Sequence, residues 1–470
     1  MSHKNETTVL VLSLLVTAVL VGGGFWLLTH GGIKSVQENP APSASSANPS
    51  DQISDQISMG EKSLLPGKIQ PEKQAGVKAI AAGDSSKAIT ELQSALSRNR
   101  NDPETLIFLN NARVDQQQSY RYTIAVSVPI GSDVNGSLEI LRGVAQAQQE
   151  VNQAGGINGM PLKVAIANDD NNPETAKRIA ATLIKNPNVV GVVGPYASDV
   201  TLAAGPVYQS GSMVAISPVS TSVKLSGFSP YIFRTVPSDY VAARALANYM
   251  LTKLQKKTAA VFFNSQSGYS QSLKSEFSTA LALEGGQVTA EFDLSDSSFS
   301  AARSIDQAIK QNTQVLMLAS NTSTLDKALQ VVQVNRKRLN LLGGDDVYAS
   351  KTLEVGGEAA LGMVVAVPWH IEGNSTTNFP KQSRQLWGAD VNWRTALSYD
   401  ATKALAAALQ RRPSRWGVHQ ALAAPDFSAV GASRTVRFLP SGDRNAPVQL
   451  VTIVRGQRSG TGYDFVPVPR

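Results

Sequence analysis

Short apolar runs alternate with longer amphipathic segments from residue 122 to the C-terminus. The apolar runs predict buried strands over residues 122–128, 162–167, 189–193, 258–263 and 315–319. Helical patterns lie between them, at residues 138–154, 173–185 and 270–283 among others. Strands separated by helices predict right-handed βαβ crossovers and parallel sheets. Because roughly 350 residues are too many for one sheet, the pattern predicts an α/β protein with two doubly wound parallel-sheet lobes.

Two of the predicted strands end in small hydroxyl residues. Residues 192–199 pass from Val-Val into Gly-Pro-Tyr-Ala-Ser-Asp, and residues 215–222 pass from Ala-Ile into Ser-Pro-Val-Ser-Thr-Ser. The carboxyl ends of parallel strands meet at one crevice, which is where ligands bind. Ser198 begins a helical pattern, so its hydroxyl and the first N–H groups of that helix can bind a carboxylate. The alternative is that Ser198 only caps the helix.

The N-terminal pattern differs from the rest of the chain. Residues 8–28 contain no charge and are rich in Leu and Val, and about 20 apolar residues suffice to cross a bilayer. The nearest small-residue cleavage pattern, at residues 44–47, lies well past this run, whereas cleavable signals place it close behind. We therefore expect residues 1–30 to form an uncleaved single-pass anchor in the cytoplasmic (inner) membrane, with the rest on the periplasmic or extracellular side. A removed signal peptide is the alternative.

Two segments connect this predicted anchor to the α/β region. Residues 31–71 are rich in Ser, Pro, Ala, Asn and Gln, which predicts a disordered linker. Residues 72–118 predict an all-α helical hairpin, whose small residues Ala88 and Ala95 fall at positions that resemble a tetratricopeptide repeat. Asp102 predicts the start of a further helix. The hairpin is either a spacer that packs on the main domain or a docking module for a partner.

Composition narrows the classes of function. Of the 470 residues 17% are charged and 42% hydrophobic, and the net charge of +7 includes no basic block interleaved with aromatic residues, so we expect no nucleic-acid partner. The absence of cysteine excludes disulfides, thiol catalysis and cysteine-ligated zinc. With 4 histidines and neither a Gly-x-Ser-x-Gly nor a His-Glu-x-x-His motif, we expect no enzyme, metal or cofactor.

A series of short motifs is the remaining signal. The motifs are Asn-Gln-Ala-Gly-Gly-Ile-Asn-Gly at 152–159, Asn-Asp-Asp at 168–170, Ser-Pro at 217–218, Phe-Arg-Thr at 233–235, Gly-Tyr-Ser at 268–270, Gly-Gly-Asp at 343–345 and Phe-Leu-Pro-Ser-Gly-Asp at 438–443. Through them, the chain from about residue 120 resembles the type I periplasmic binding proteins, specifically the branched-chain (Leu/Ile/Val) amino-acid receptors of ABC transporters.

This resemblance implies how the main domain is divided. Two lobes are expected to be joined by a three-stranded hinge. The first lobe would cover about 119–236 and 366–432, and the second about 237–365 and 433–470. The expected crossovers between them lie near 235–239, 362–368 and 431–434.

The resemblance also implies how a ligand is held between the lobes. The residues at Ser198 and Thr221 bind its α-carboxylate. The carbonyl of Val219 and the side chain of Asp345 receive its α-ammonium, and Tyr269 closes over it from the second lobe. The complete predicted set is Tyr196, Ser198, Val219, Ser220, Thr221, Tyr269, Asn321 and Asp345.

Departures from the family pattern bear on the ligand. Asn321 stands where relatives often carry an aromatic residue, Asp345 is shorter than their glutamate, and residues 131–136 contain no aromatic. Such a pocket suits small, polar or amide-bearing amino acids, or another small solute, at least as well as branched ones. Without the resemblance, Asp345 or Asp346 could simply cap a turn, and Tyr269 could be an ordinary aromatic at a helix start.

These expectations combine into one functional hypothesis. The chain is expected to be an extracytoplasmic receptor that captures a small amino-acid-like solute by hinge closure and delivers it to the permease of an ABC-type transporter. The alternative is a membrane-tethered sensor or scaffold that signals to a partner.

Overall fold

The computed structural model describes residues 53–118, 120–373 and 376–469. It begins with a two-residue strand and three helices, namely β1 (Ile57–Ser58), α1 (Pro71–Ala81), α2 (Ser85–Arg98) and α3 (Pro103–Gln116). Asp84 caps α2 by accepting the N–H of Lys87, and Asp102 caps α3 by accepting the N–H of Thr105. Because α3 packs between α2 and the sheet that follows, nearly all of its side chains are buried.

Part of the predicted linker has a defined structure. Ile57 and Ser58 pair antiparallel with Ala167 and Ile166 of the first sheet. The buried carboxylate of Glu104 accepts the N–H groups of residues 64 and 65. Composition did not reveal this because the ordering contacts come from elements distant in sequence. Residues 31–52 of the predicted linker lie outside the described residues.

A first lobe is built around a six-stranded sheet. Its further strands are β2 (Tyr122–Val128), β3 (Leu162–Asn168), β4 (Val189–Val193), β5 (Ala215–Ser217) and β6 (Ile232–Arg234). The order is β1-β3-β2-β4-β5-β6, and only β1 is antiparallel. The connecting helices are α4 (Val134–Gln153), α5 (Pro173–Lys185) and α6 (Ser198–Ser210), with a 3₁₀ turn at Val223–Leu225. All residues of β2 are buried, as expected for a central strand covered on both faces.

A second lobe repeats this plan. Its strands are β7 (Thr258–Phe263), β8 (Gln287–Asp293), β9 (Val315–Ala319), β10 (Asn340–Gly343) and β11 (Val364–Val367). Its helices are α7 (Asp239–Thr252), α8 (Gly268–Leu283), α9 (Ala301–Lys310), α10 (Leu325–Asn335) and α11 (Ser350–Gly356), with 3₁₀ turns at Thr322–Thr324, Asp345–Val347 and Gly357–Ala360. These strands are parallel in the order β11-β10-β9-β7-β8. The predicted pair of parallel-sheet lobes is thereby confirmed.

The chain then returns to the first lobe before it completes the second sheet. The returning elements are α12 (Phe379–Trp387), α13 (Trp393–Arg411), α14 (Arg415–Ala423), β12 (Ala429–Val430) and β13 (Thr435–Val436). Helix α13 packs along α4. Two final strands complete the second sheet: β14 (Gln449–Arg455) pairs antiparallel with β11, and β15 (Tyr463–Pro467) pairs antiparallel with β14.

The second crossover lies at the end of the expected range, and the third lies later in the chain than expected. Val367, the last residue of β11, still pairs in the second sheet, with Gln449. The loop at 437–446 stays on the first lobe, because Gly442 accepts the N–H of Arg234 and Arg444 forms a buried ion pair with Asp400 of α13. The third crossover therefore lies between this loop and β14, and the second follows β11. Only such long-range pairings distinguish a loop on one lobe from a loop on the other.

The predicted membrane anchor at residues 1–30 lies outside the described residues. Within 53–118, 120–373 and 376–469, no helix combines the length and the apolar character needed to cross a bilayer. Helix α4 has 20 residues but carries Glu139, Arg142 and Glu150, and its buried face belongs to the core of the first lobe. The predicted localisation in the cytoplasmic membrane is contradicted by this finding and is not retained.

Candidate ligand-binding site

A cavity of about 190 Å³ lies between the two lobes, at the carboxyl ends of their strands. Its walls come from the loops after β2, β3, β4 and β5 on one side and after β7, β9 and β10 on the other. Most of the predicted site residues line it, namely Tyr196, Ser198, Val219, Ser220, Tyr269, Asn321 and Asp345. Parallel strands bring these residues together although they are up to about 150 positions apart in the sequence.

Thr221 is the predicted site residue that does not line the cavity. Its carbonyl accepts the N–H of Asp239, at 2.8 Å, at the start of α7. Its side chain is buried next to the Asp239 carboxylate, whose pKa burial raises to about 6, while the Ser272 and Thr221 hydroxyls act to lower it. Thr221 therefore joins the first lobe to the hinge rather than forming part of the cavity wall.

Helix α6 starts at the cavity without a side-chain cap. Ala197 occupies the N-cap position and has no side chain that can accept an N–H group. Ser198 is the first helical residue, not the cap, and its Oγ accepts the N–H of Ser222 at 3.3 Å. The first N–H groups of α6 are therefore left without an internal acceptor. Helix N-termini of this kind attract anions.

A network of hydroxyl groups fixes this wall of the cavity. The Ser220 hydroxyl donates to the carbonyl of Tyr196 at 2.9 Å, and its N–H donates to Ser217 Oγ at 3.0 Å. Ser217 Oγ in turn donates to the carbonyl of Pro195 at 2.7 Å. These bonds join the loops after β4 and β5, so the cavity wall is rigid on this side.

The opposite wall carries a tyrosine–aspartate pair. Tyr269, in the first turn of α8, donates its hydroxyl proton to Asp345 Oδ1 at 2.6 Å. Burial raises the pKa of Tyr269 well above its usual value, so this hydroxyl remains a donor. Gly344 allows the approach, because a Cβ at that position would lie 2.5 Å from the Tyr269 hydroxyl.

Asp345 is a buried carboxylate. It is 8% exposed, and Tyr269 is the partner that the structure shows for its side chain. Burial, and next the neighbouring Asp346 carboxylate, raise the pKa of Asp345 to about 7. A buried acid with a raised pKa has a strong need for a cation. It is therefore suited to receive an ammonium group.

Asn321 has one half of its amide available. Its Oδ1 accepts hydrogen bonds from Asn264 Nδ2, Ser323 Oγ and Thr324 Oγ1, at 2.9, 3.1 and 2.8 Å. The amide nitrogen is the group left to donate into the cavity. Asn321 is thus a polar donor in the position where the family resemblance led us to look for an aromatic.

Several cavity residues were missed as ligand-site candidates from the sequence. Asp133, Asp199 and Asp346 also line the cavity, and Arg394 of α13 contacts Asp346 directly, at 2.5 Å. Asp199 directly follows Ser198, and Asp346 directly follows Asp345. Their position next to predicted site residues could therefore have identified both as candidates. Arg394 had no such signal, because it lies in the returning segment of the first lobe.

The two lobes contact each other around the cavity. Asp199 of the first lobe accepts the N–H of Gly268 of the second at 2.8 Å. The Val223 N–H donates to Ser272 Oγ at 3.0 Å, also between lobes. The structure therefore has a closed cleft.

The family follows from a comparison with known proteins. Residues 121–461 match the family described as periplasmic binding protein. The chain belongs to this family. The helical hairpin lies outside the match, and its likeness to a tetratricopeptide repeat stays a prediction.

Individual relatives are distant. An amino acid binding protein of Pseudomonas aeruginosa is 31% identical over 30% of this chain and 38% of its own length. A leucine-, isoleucine-, valine-, threonine- and alanine-binding protein of the same organism is 25% identical over 52% of this chain and 66% of its own length. The alignments thus span from over a third to about two thirds of these relatives. Both are named as binding proteins, which agrees in coarse terms with a chain that is not an enzyme.

Solved structures show the same fold. An ABC transporter substrate-binding protein of Desulfitobacterium hafniense in complex with Leu matches 74% of this chain and 100% of its own, with a TM-score of 0.64 and 21% identity. At this level of identity, the likeness shows the fold alone.

Proposed function

We propose that the chain is a receptor that captures a small zwitterionic amino acid by closing its two lobes around it. The observation that carries the proposal is the pairing of opposite preferences across one small cavity. On one wall an uncapped helix start and a serine suit an anion, and on the other a buried carboxylate suits a cation.

The first-lobe wall is assigned to the ligand's carboxylate. The uncapped N–H groups at the start of α6 and the hydroxyl of Ser198, which lines the cavity, are the donors for this group. Hydrogen bonds to a charged group contribute about 1.5–3 kcal/mol each. Ser220 holds the loop in place, and Thr221 acts through the hinge rather than by direct contact.

The second-lobe wall is assigned to the ligand's ammonium group. Asp345 supplies the negative charge and Tyr269 orients it. From the first lobe, the carbonyl of Val219 is an additional acceptor. A zwitterion that leaves water needs both of its charges met, because an unpaired buried charge costs several kcal/mol. A ligand with only one of the two charges is therefore expected to bind weakly.

The side chain of the ligand is expected to be small or polar. The cavity of about 190 Å³ is large enough for a free amino acid. Around it lie Asn321, Thr322 and Ser323, which favour a ligand that can form hydrogen bonds. The relative named for binding leucine, isoleucine, valine, threonine and alanine is consistent with amino acids as the class.

Delivery to the permease of an ABC-type transporter is the role that we propose for the closed form. Hinge closure brings groups of both lobes onto the ligand, so a ligand shifts the balance between open and closed forms. The name of the Desulfitobacterium hafniense protein supports this role, because it is a transporter component with the same fold.

A thermal-shift screen of the full chain against the standard L-amino acids tests the proposal. A ligand at a hundred times its dissociation constant adds about 2.7 kcal/mol of stability. Each amino acid that stabilises the chain is then compared with its amine, which lacks the carboxylate, and its 2-hydroxy acid, which lacks the ammonium group. We expect neither analogue to stabilise the chain. The zwitterion assignment is wrong if an analogue matches the amino acid, and the function is wrong if no amino acid stabilises the chain.

A further inference from the structure

Arg394 is a buried cation beside the cavity. It lies in the first turn of α13, in the first lobe, and its side chain is 7% exposed. Its guanidinium carbon is 4.3 Å from the ring centroid of the buried Trp393. Its Nε donates to the Tyr196 hydroxyl at 3.0 Å. The guanidinium is therefore held in one orientation from two sides.

The remaining contact of Arg394 crosses the cleft. Its Nη2 lies 2.5 Å from Oδ1 of Asp346, which belongs to the second lobe. The other oxygen of Asp346 accepts the N–H of Thr322 at 3.2 Å. Asp346 thus has a charged partner from the opposite lobe as well as a backbone donor from its own.

The aspartates that line the cavity differ in the partners that stabilise their carboxylates. Asp133 accepts the N–H of Gly136 at the start of α4, at 2.8 Å, and Asp199 accepts the N–H of Gly268 at the start of α8. Helix N-termini stabilise such carboxylates. Asp346 has Arg394, whereas the partner that the described residues give to the Asp345 side chain is the Tyr269 hydroxyl, which is neither a cation nor an N–H group at a helix start.

We propose that Arg394 is a positioning residue that sets how many positive charges the ligand carries. It pairs with Asp346 across the closed cleft, so that Asp345 alone remains for the ligand and the site selects amino acids with a single ammonium group. This inference rests on the proposed function, since it concerns the same cavity. Arginine suits the position because its planar fork can contact Tyr196 and Asp346 at once.

The charge selection has a direct consequence. If Arg394 is replaced by a neutral residue, Asp346 becomes a second unpaired carboxylate at the cavity. A ligand with an additional ammonium group on its side chain then gains a partner, while a ligand with one ammonium group gains nothing. The ranking of ligands changes, not only their affinity.

Titration calorimetry with isosteric ligand pairs tests this consequence. L-norleucine and L-ornithine, and likewise L-norvaline and L-2,4-diaminobutyrate, differ by a terminal methyl or ammonium group. We expect the full chain to prefer the uncharged member of each pair. Arg394→Gln should shift the ratio of dissociation constants toward the charged member by about tenfold or more. Arg394→Gln combined with Asp346→Asn should restore the original preference.

A matched control separates charge selection from general damage. Arg384 also pairs with an aspartate, Asp390, but on the exposed surface of the first lobe, so Arg384→Gln should leave the ratio unchanged. An equal loss of affinity for both members of a pair in Arg394→Gln would overturn the proposal, as would a full chain that already prefers the charged members.

A second measurement needs no ligand. The chain has no cysteine, so spin labels can be placed on Glu174→Cys in α5 and Gln307→Cys in α9, both exposed and one in each lobe. Arg394→Gln should lengthen the distance between the labels, and adding Asp346→Asn should shorten it again. Identical distances with and without Arg394 overturn the proposal. If no amino acid stabilises the full chain, the proposed function fails and these distances alone decide the role of Arg394.

Discussion

The first-lobe wall of the cleft offers backbone N–H groups and hydroxyls, and its two carboxylates, Asp133 and Asp199, already accept backbone N–H groups. The second-lobe wall depends on carboxylates and a tyrosine. On the first wall, the proposed binding of the ligand's carboxylate is shared by several donors, namely the Ser198 hydroxyl and the N–H groups at the uncapped start of α6. On the second wall, Asp345 has Tyr269 as its partner and supplies a formal charge, while the adjacent Asp346 is paired with Arg394.

This difference predicts unequal sensitivity to substitution. A site formed by several weak donors loses only a fraction of its binding energy when one donor is removed. A site that depends on one buried charge loses most of it, because the ligand's own charge is then buried without a partner. The experiments below measure this asymmetry, from the largest expected effect to the smallest.

Asp345→Asn should have the largest effect. Removing the carboxylate leaves the ligand's ammonium group unpaired in the closed cleft, which costs about 2–5 kcal/mol, or about 30-fold to several thousand-fold in affinity. Calorimetry with an amino acid found in the thermal-shift screen measures the loss. Asp326→Asn is the control, since Asp326 is an exposed second-lobe aspartate in a surface ion pair. If Asp345→Asn and the unsubstituted chain bind the amino acid with similar affinity, Asp345 is not part of the binding site.

Lowering the pH should weaken binding in the same way, reversibly. The ammonium group needs ionised Asp345, whose pKa is raised to about 7 in the folded chain. Affinity should therefore fall by about tenfold per pH unit below pH 7 and level off above it. In Asp345→Asn this dependence should disappear. If the unsubstituted chain binds the amino acid equally well at pH 5 and pH 8, the assignment of Asp345 to the ammonium group is contradicted.

Stability without ligand should change in the opposite direction. A carboxyl whose pKa is higher in the folded than in the unfolded chain binds more protons when folded, so stability falls as pH rises from about 4 to about 7. Asp169 and Asp239, with pKa values raised by burial to about 6, act in the same direction. The difference between the full chain and Asp345→Asn in urea unfolding isolates the part due to Asp345.

Ser198→Ala should have the smallest effect. It removes one hydroxyl but keeps the N–H groups of α6, so the expected cost is about 1 kcal/mol, or about fivefold in affinity. Ser210→Ala, at the exposed far end of the same helix, is the matched control. A loss as large as that of Asp345→Asn would mean that the two walls do not differ in the way proposed.

Much of the fold was predictable because its signals are local. The strand expected at 122–128 is β2 (Tyr122–Val128), since a continuous apolar run has few other options in an α/β chain. The helix expected from residue 138 begins earlier, at Val134, because Asp133 caps it. The third crossover was placed too early, because the pairing of the 437–446 loop with β6 leaves no local pattern.

The residues of the candidate site also differ in whether a local sequence pattern could locate them. Ser198, Val219 and Ser220 follow strand ends that hydrophobic patterning alone could locate. Asp345 and Tyr269 were assigned through the resemblance to a family, and the structure brings them within hydrogen-bonding distance. Their binding roles stay a prediction.

The sequence by itself determined the alternation of strands and helices, the two lobes and the hydroxyl-rich strand ends, since each depends on neighbours within a few residues. Only the tertiary structure decided which charges face each other. Arg394 meets Asp346 from the other lobe, and the segment from residue 57 completes the first sheet. Folding brings such pairs together from distant parts of the sequence, so the periodicity of hydrophobic residues cannot predict them.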